Sequence, residues 1–180
     1  MPLFVIMAIF ASLFALTAEA QAVPEALAKR IKANPDRFVE EAATLIFGFG
    51  GAKGIDAAGV ERFIALERAG ARASVVRRLL SGDLDGDGAV TGAEMGVAAG
   101  AASASQRGRM LGLLARADDD GDGTASGDEI MAFAAAEALE AFDERRAQGA
   151  RAVLGFDGDA DGLVTLPEVQ RVVARLAEAA

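Results

Sequence analysis

The chain has no cysteine, histidine, tryptophan or tyrosine. Without cysteine there is no disulfide to staple the fold and no thiolate nucleophile. Without histidine or cysteine, zinc centres and Ser-His-Asp triads are excluded as well. Basic residues are scarce: 18 Lys and Arg stand against 27 Asp and Glu, for a net charge of −9. Nucleic acid is therefore not an expected partner, because it is held by a basic face. Long apolar runs are also lacking, with one exception. Residues 3–16 read LFVIMAIFASLFAL and are followed by small residues at Ala18 and Ala20. That run has h-region length and is short for a bilayer span, so residues 1–20 are expected to be a secretory signal peptide cleaved before Gln21. No membrane association is expected after cleavage, and the expected location is periplasmic or secreted.

Apolar residues make up 52 % of the chain, much of it alanine, which suits a thin helical core. Residues 21–35 are expected to be a linker or frayed helix, broken at Pro24 and Pro35. Beyond them, helical stretches alternate with Gly- and Asp-rich loops, and no useful β-alternation occurs. The expected fold is all-α.

An internal repeat organises this region. The segments DLDGDGAVTGAE (83–94), DDDGDGTASGDE (118–129) and DGDADGLVTLPE (157–168) align without gaps. A fourth, GFGGAKGIDAAG (48–59), keeps the outline without the acids. Apolar or small residues recur after each loop: Val60/Phe63/Ile64, Met95/Ala98/Ala99, Ile130/Phe133/Ala134 and Val169/Val172/Val173. This spacing marks one face of a helix. The entering segments carry stripes at Val75/Val76/Leu79/Leu80, Met110/Leu111/Leu114 and Val153/Leu154, and Phe47 and Phe156 immediately precede their loops. Four helix–loop–helix units are expected.

The pattern D-x-[DN]-x-[DN]-G-x₅-E gathers oxygen donors for Ca²⁺, a hard cation that takes about six to eight of them. Loop positions 1, 3 and 5 offer carboxylates: Asp83, Asp85 and Asp87; Asp118, Asp120 and Asp122; Asp157, Asp159 and Asp161. Position 6 turns sharply and is Gly88, Gly123 or Gly162. Position 7 gives a backbone carbonyl, so its side chain is free: Ala89, Thr124 and Leu163. Position 9 is Thr91, Ser126 or Thr165, and position 12 is Glu94, Glu129 or Glu168, long enough to bind bidentately. The same pairs, Thr91 with Glu94, Ser126 with Glu129 and Thr165 with Glu168, are capping boxes that start the exit helices. Three Ca²⁺ ions are the expected cofactors. The first unit carries Lys53 at position 6 and Gly59 at position 12, so it is expected to be metal-free, with Asp56 capping its exit helix.

These motifs resemble the EF-hand superfamily, and the layout over residues 36–180 is similar to calmodulin-like four-hand proteins. The resemblance implies that consecutive hands pair, residues 36–101 forming one pair and 102–180 the other. It also implies short antiparallel contacts between position-8 residues, Ile55 with Val90 and Ala125 with Val164. An extracytoplasmic calcium sensor or buffer is the function this implies. The mature chain has only Met95, Met110 and Met131, whereas a promiscuous sensor groove is Met-rich. A second reading is a metal-stabilised module that docks a protein or peptide partner through the helices around 130–142 and 166–179. A carboxylate-based hydrolase is the third, disfavoured because nearly every clustered acid belongs to a loop; no enzymatic activity is expected.

Overall fold

Local chemistry sets where the helices begin. The computed structural model describes residues 23–178, so the expected signal segment lies outside the described residues. Helix α1 spans Glu25–Ala33, and Asn34 then caps α2 (Pro35–Phe49), accepting from the Arg37 amide, with Pro at the first helical position. Asp56 caps α3 (Ala57–Leu80) through the Gly59 amide at 2.7 Å, as expected for it. The two-residue strand β1 (Val90–Thr91) leads into the short α4 (Gly92–Ala98). Ser103 and Gln106 form a capping box at the start of α5 (Ala104–Ala117). Strand β2 (Thr124–Ala125), α6 (Gly127–Ala141), α7 (Glu144–Arg151), a 3₁₀ turn (Ala152–Phe156) and α8 (Leu166–Glu178) complete the chain. The all-α expectation holds, with very short antiparallel contacts as the only pairing among the described residues. None of the described helices is long and apolar enough to cross a membrane.

The expected exit-helix stripes are the core. Val60, Ile64, Met95, Ala99, Ile130, Ala134, Val169, Val172 and Val173 are buried. Phe63, Ala98 and Phe133 are half-buried beside them. The entering stripes are less complete. Val75, Leu79, Leu114 and Val153 are buried, while Leu80 and Leu111 face solvent. Phe47 is 65 % exposed, because α2 runs two residues further than the repeat outline suggests. Phe49 takes the inward role instead and meets the Phe63 ring edge-on at 5.3 Å.

Two expectations need correction. Of the linker and the helix expected over residues 21–35, the described residues form the helix, from Glu25 to Ala33. Within them α1 packs onto α2 and α8, and Leu27 and Ile31 are buried in the same core as Phe38 and Val169. Their i, i+4 spacing puts both on one helix face.

The second correction concerns pairing. The first loop does not pair with the second, nor the third with the fourth. Val90 pairs with Ala125, joining the second loop to the third. Ile55 pairs with Val164, joining the first loop to the fourth, with reciprocal amide–carbonyl bonds of 2.9 and 2.8 Å. The physical reason is α3. It serves as both exit helix of the first unit and entering helix of the second, and its 24 residues hold loops one and two about 36 Å apart. The brief link between α4 and α5 instead folds the third unit back beside the second. Helix α6 then returns antiparallel to α3, from Ile130 near Leu79 to Phe142 against Phe63.

The boundaries 36–101 and 102–180 therefore do not separate two cores. One core joins α1, α2, the start of α3, α7, the 3₁₀ turn and α8. The other joins the end of α3 with α4, α5 and the start of α6, and draws on Ala117, Ala125 and Ala134.

The contact between loops one and four depends on Gly54. Its φ is 122°, and a Cβ there would lie 2.8 Å from the Val164 carbonyl oxygen. Gly54→Ala should destabilise the protein by about 1–3 kcal/mol. Urea unfolding of the variant beside wild type measures this, and an unchanged midpoint would argue against the first-to-fourth contact.

Candidate metal centre

Each acidic loop is wound around its own first aspartate. In the second unit Asp83 accepts from the Gly86 amide at 2.8 Å and the Gly88 amide at 3.1 Å. Asp118 does the same in the third unit, from Gly121 at 2.9 Å and Gly123 at 3.0 Å. These are side-chain-to-backbone turns, for which Asp is well suited. Positions 4 and 6 carry positive φ in each case: 79° and 86° at Gly86 and Gly88, 74° and 91° at Gly121 and Gly123.

The glutamate at the end of each loop ties the other side. Glu94 accepts from the Thr91 amide at 2.9 Å and hydroxyl at 2.8 Å with one oxygen, and from the Leu84 amide at 3.1 Å with the other. Glu129 takes the equivalent bonds from Ser126 and the Asp119 amide. Glu168 takes them from Thr165 and the Gly158 amide, the last at 2.7 Å. The expected capping boxes at Thr91 and Ser126 are complete in both directions.

The outcome is three convergent carboxylate triads. In Asp83/Asp85/Glu94, Asp118/Asp120/Glu129 and Asp157/Asp159/Glu168, one oxygen from each residue lies within 4.8 Å of the others. Positions 1, 3 and 12 of the expected ligand set are thus brought together. Asp87, Asp122 and Asp161 stand outside these triads and turn inward on their own loops. Each accepts from the amide two residues on, Ala89, Thr124 or Leu163, at 2.8 Å. Ala89, Thr124 and Leu163 thus sit where those aspartates fix their backbone, and Thr91, Ser126 and Thr165 sit at the helix starts beside the glutamates.

Like charges this close repel, and the loop donors hold the glutamates ionised. Hydrogen bonds from the Ser126 hydroxyl and amide, then from Asp119, bring the Glu129 pKa down from 4.5 to about 2. Glu94 is lowered by the Thr91 amide and hydroxyl and by Leu84. At Glu168 burial acts first and pushes upward, but the bonds from Thr165 and Gly158 together outweigh it and the pKa is lowered.

The fourth loop differs from the other two in a way that bears on a cation. Position 4 is Ala160, whose φ of 60° makes it the only non-glycine with positive φ among the described residues. Asp157 keeps its bond from Gly162 at 2.9 Å, but its Oδ1 is buried with no hydrogen-bond partner. A buried carboxylate oxygen without a donor carries a desolvation cost that a cation beside it removes. Glu168, in the same triad, is only 3 % exposed and is the only buried charged side chain among the described residues. The donors are oxygen alone, which fits a hard cation of the alkaline-earth type. The alanine at position 4 was legible in the aligned repeats; the orphaned oxygen required coordinates.

The first loop lacks this apparatus. Its positive φ falls at Gly51 and Gly54 rather than at position 6, and Lys53 is exposed. It presents Ile55 to Val164 and so backs the fourth loop. No family model, no curated protein and no solved structure matches this chain.

Ser126 supplies the largest contribution to the low Glu129 pKa, so the group can be followed directly. In metal-free protein a carbon-detected titration should place Glu129 near 2, and Ser126→Ala should return it toward 4.5. Because the folded value is the lower one, the stability it contributes is present above about 4.5 and is lost as pH falls toward 2. A wild-type midpoint at the ordinary value would rule out this arrangement of donors.

Proposed function

We propose that this chain is an EF-hand-type calcium-binding protein that holds Ca²⁺ in the loops beginning at Asp83, Asp118 and Asp157, and acts outside the cytoplasm as a sensor or buffer. The observation that carries the reading is the convergence of carboxylate oxygens from positions 1, 3 and 12 within 4.8 Å, three times over. The orphaned Asp157 Oδ1 supports it independently. The residues that would hold the ions are the Asp triplets, the carbonyls of Ala89, Thr124 and Leu163, the hydroxyl positions Thr91, Ser126 and Thr165, and Glu94, Glu129 and Glu168. Bound calcium would neutralise mutual repulsion within each loop, so loading and folding are coupled.

Exposure of Met131 and Leu139 on α6 favours a second reading, in which the metal-stabilised fold docks a protein partner. A dye that reports apolar surface separates the two roles within the calcium class. A calcium-dependent rise supports a sensor or docking module, and a flat response supports a buffer. Hydrolytic chemistry ranks third, because the clustered acids are engaged in the loops.

Titration calorimetry on residues 21–180 should return roughly three equivalents of Ca²⁺, one for each triad. Glu94→Gln, Glu129→Gln and Glu168→Gln should each remove or strongly weaken one equivalent. At free calcium a hundredfold above Kd, each loaded site should add about 2.7 kcal/mol of stability. The thermal midpoint should fall accordingly in chelator. Failure to take up calcium, or a midpoint indifferent to chelator, would end the proposal.

A further inference from the structure

A cleft of about 750 Å³ lies between α2, α3 and α7, formed by residues outside the acidic loops. Its floor is apolar: Phe38, Leu45 and Val153 are buried, and the half-buried Phe63 and Phe142 meet edge-on at 5.7 Å. Its rim is cationic: Arg30, Arg37, Arg145 and Arg146 face a single acid, Glu41. Glu41 is already engaged, accepting from Arg30 and from Arg37 at 3.0 Å. The α7 side of the rim is poorly neutralised. Arg145 reaches Asp143 only at 3.8 Å with its side chain 88 % exposed. Arg146 donates to the Ala141 carbonyl and has no carboxylate at ion-pair distance among the described residues. In a chain of net charge −9 this is a local excess of cation beside an apolar floor.

We propose that this cleft binds a small amphipathic carboxylate, a fatty-acid-like molecule. Its head group would sit on Arg145 and Arg146 and its chain against the phenylalanines. The guanidinium fork matches a carboxylate bidentately and is only weakly hydrated, so it can hold an anion next to apolar surface. The volume lies in the range of small-molecule sites, about 300–1,000 Å³. A three-turn helical peptide, a cylinder of roughly 1,300 Å³ at about 10 Å width, is too large for it. The assignment does not depend on calcium, since none of the loop carboxylates lines the cleft.

The test uses the full mature chain and cis-parinaric acid, whose fluorescence rises in an apolar site, at concentrations below its micelle point. Saturable binding of one molecule per chain is expected, displaced by dodecanoate and not by dodecylammonium. Reversing the rim charges with Arg145→Glu and Arg146→Glu together should weaken binding about tenfold or more. A steric variant guards against trivial unfolding. Gly149 lines the cleft on α7, and a Cβ added there meets nothing within 4 Å. Gly149→Leu should abolish binding while helicity and thermal midpoint hold, leucine being the better helix former. Binding that survives both variants, that dodecylammonium displaces equally, or that occurs only on anionic vesicles would overturn the proposal. Retention of an acidic amphipathic peptide in place of the monomeric acid would overturn it too.

Discussion

A continuous helix of 24 residues cannot bring its own ends together. Helix α3 leaves the first loop and enters the second without a break, and everything else is arranged around that rod. The loop at each of its ends must find a partner from elsewhere in the chain. The second finds the third, which the short α4–α5 link folds alongside. The first finds the fourth, which arrives only after α6 has run back along α3. Two cores result, one at each end, with α3 and α6 passing through the region between them. The four units are sequential in the chain and nested in space.

This nesting gives the first loop a structural task. With no acid at positions 1, 3, 5 or 12 it still supplies Ile55, fully buried, to the ladder with Val164. The Val164 carbonyl also comes close to Gly54, so that glycine tolerates what a side chain would not. The fourth loop, with Ala160 at positive φ and the unpartnered Asp157 oxygen, therefore rests on a partner held to it by the Ile55–Val164 ladder. The second and third loops stand on each other, so the proposed ions there share one ladder and the third does not.

The convergence of positions 1, 3 and 12 was legible in the sequence because its geometry is short-range. An Asp that winds the turn, a glycine at a positive φ and a capping glutamate act within a dozen residues, and their register follows from the motif. The position-8 residues Ile55, Val90, Ala125 and Val164 were legible for the same reason, since each is the apolar residue just before the start of its exit helix. Their partners were not. Pairing depends on whether residues 65–74 form a turn or a helix. The stretch ALERAGARAS consists mostly of good helix formers with no proline, a cue that the repeat-by-repeat reading passed over. The packing of α1 left a similar cue in Leu27 and Ile31. The arginine-rimmed cleft left none, because it assembles residues from Arg30 to Arg146 that share no local pattern.

Where α7 lies against α3, charge fixes orientation more than it adds stability. Arg151 donates to both oxygens of Glu61 on α3, at 2.6 and 3.1 Å, and to Glu144 at 2.7 Å. Arg68 reaches Glu144 at 3.5 Å and the Phe142 carbonyl at 3.2 Å. The Arg151 bond lowers the Glu61 pKa, and the carboxylates raise that of Arg151, so both stay charged across the ordinary pH range. Pairs this exposed contribute little net free energy. Their bidentate geometry does restrict how α7 can lie against α3. Because α7 runs straight into the 3₁₀ turn that delivers Asp157, the angle at which the fourth loop meets the first is set by this arginine network as well as by the ladder. The three loops carry acids and no arginine, while the arginines lie on the scaffold that aims them, paired there with acids such as Glu61 and Glu144.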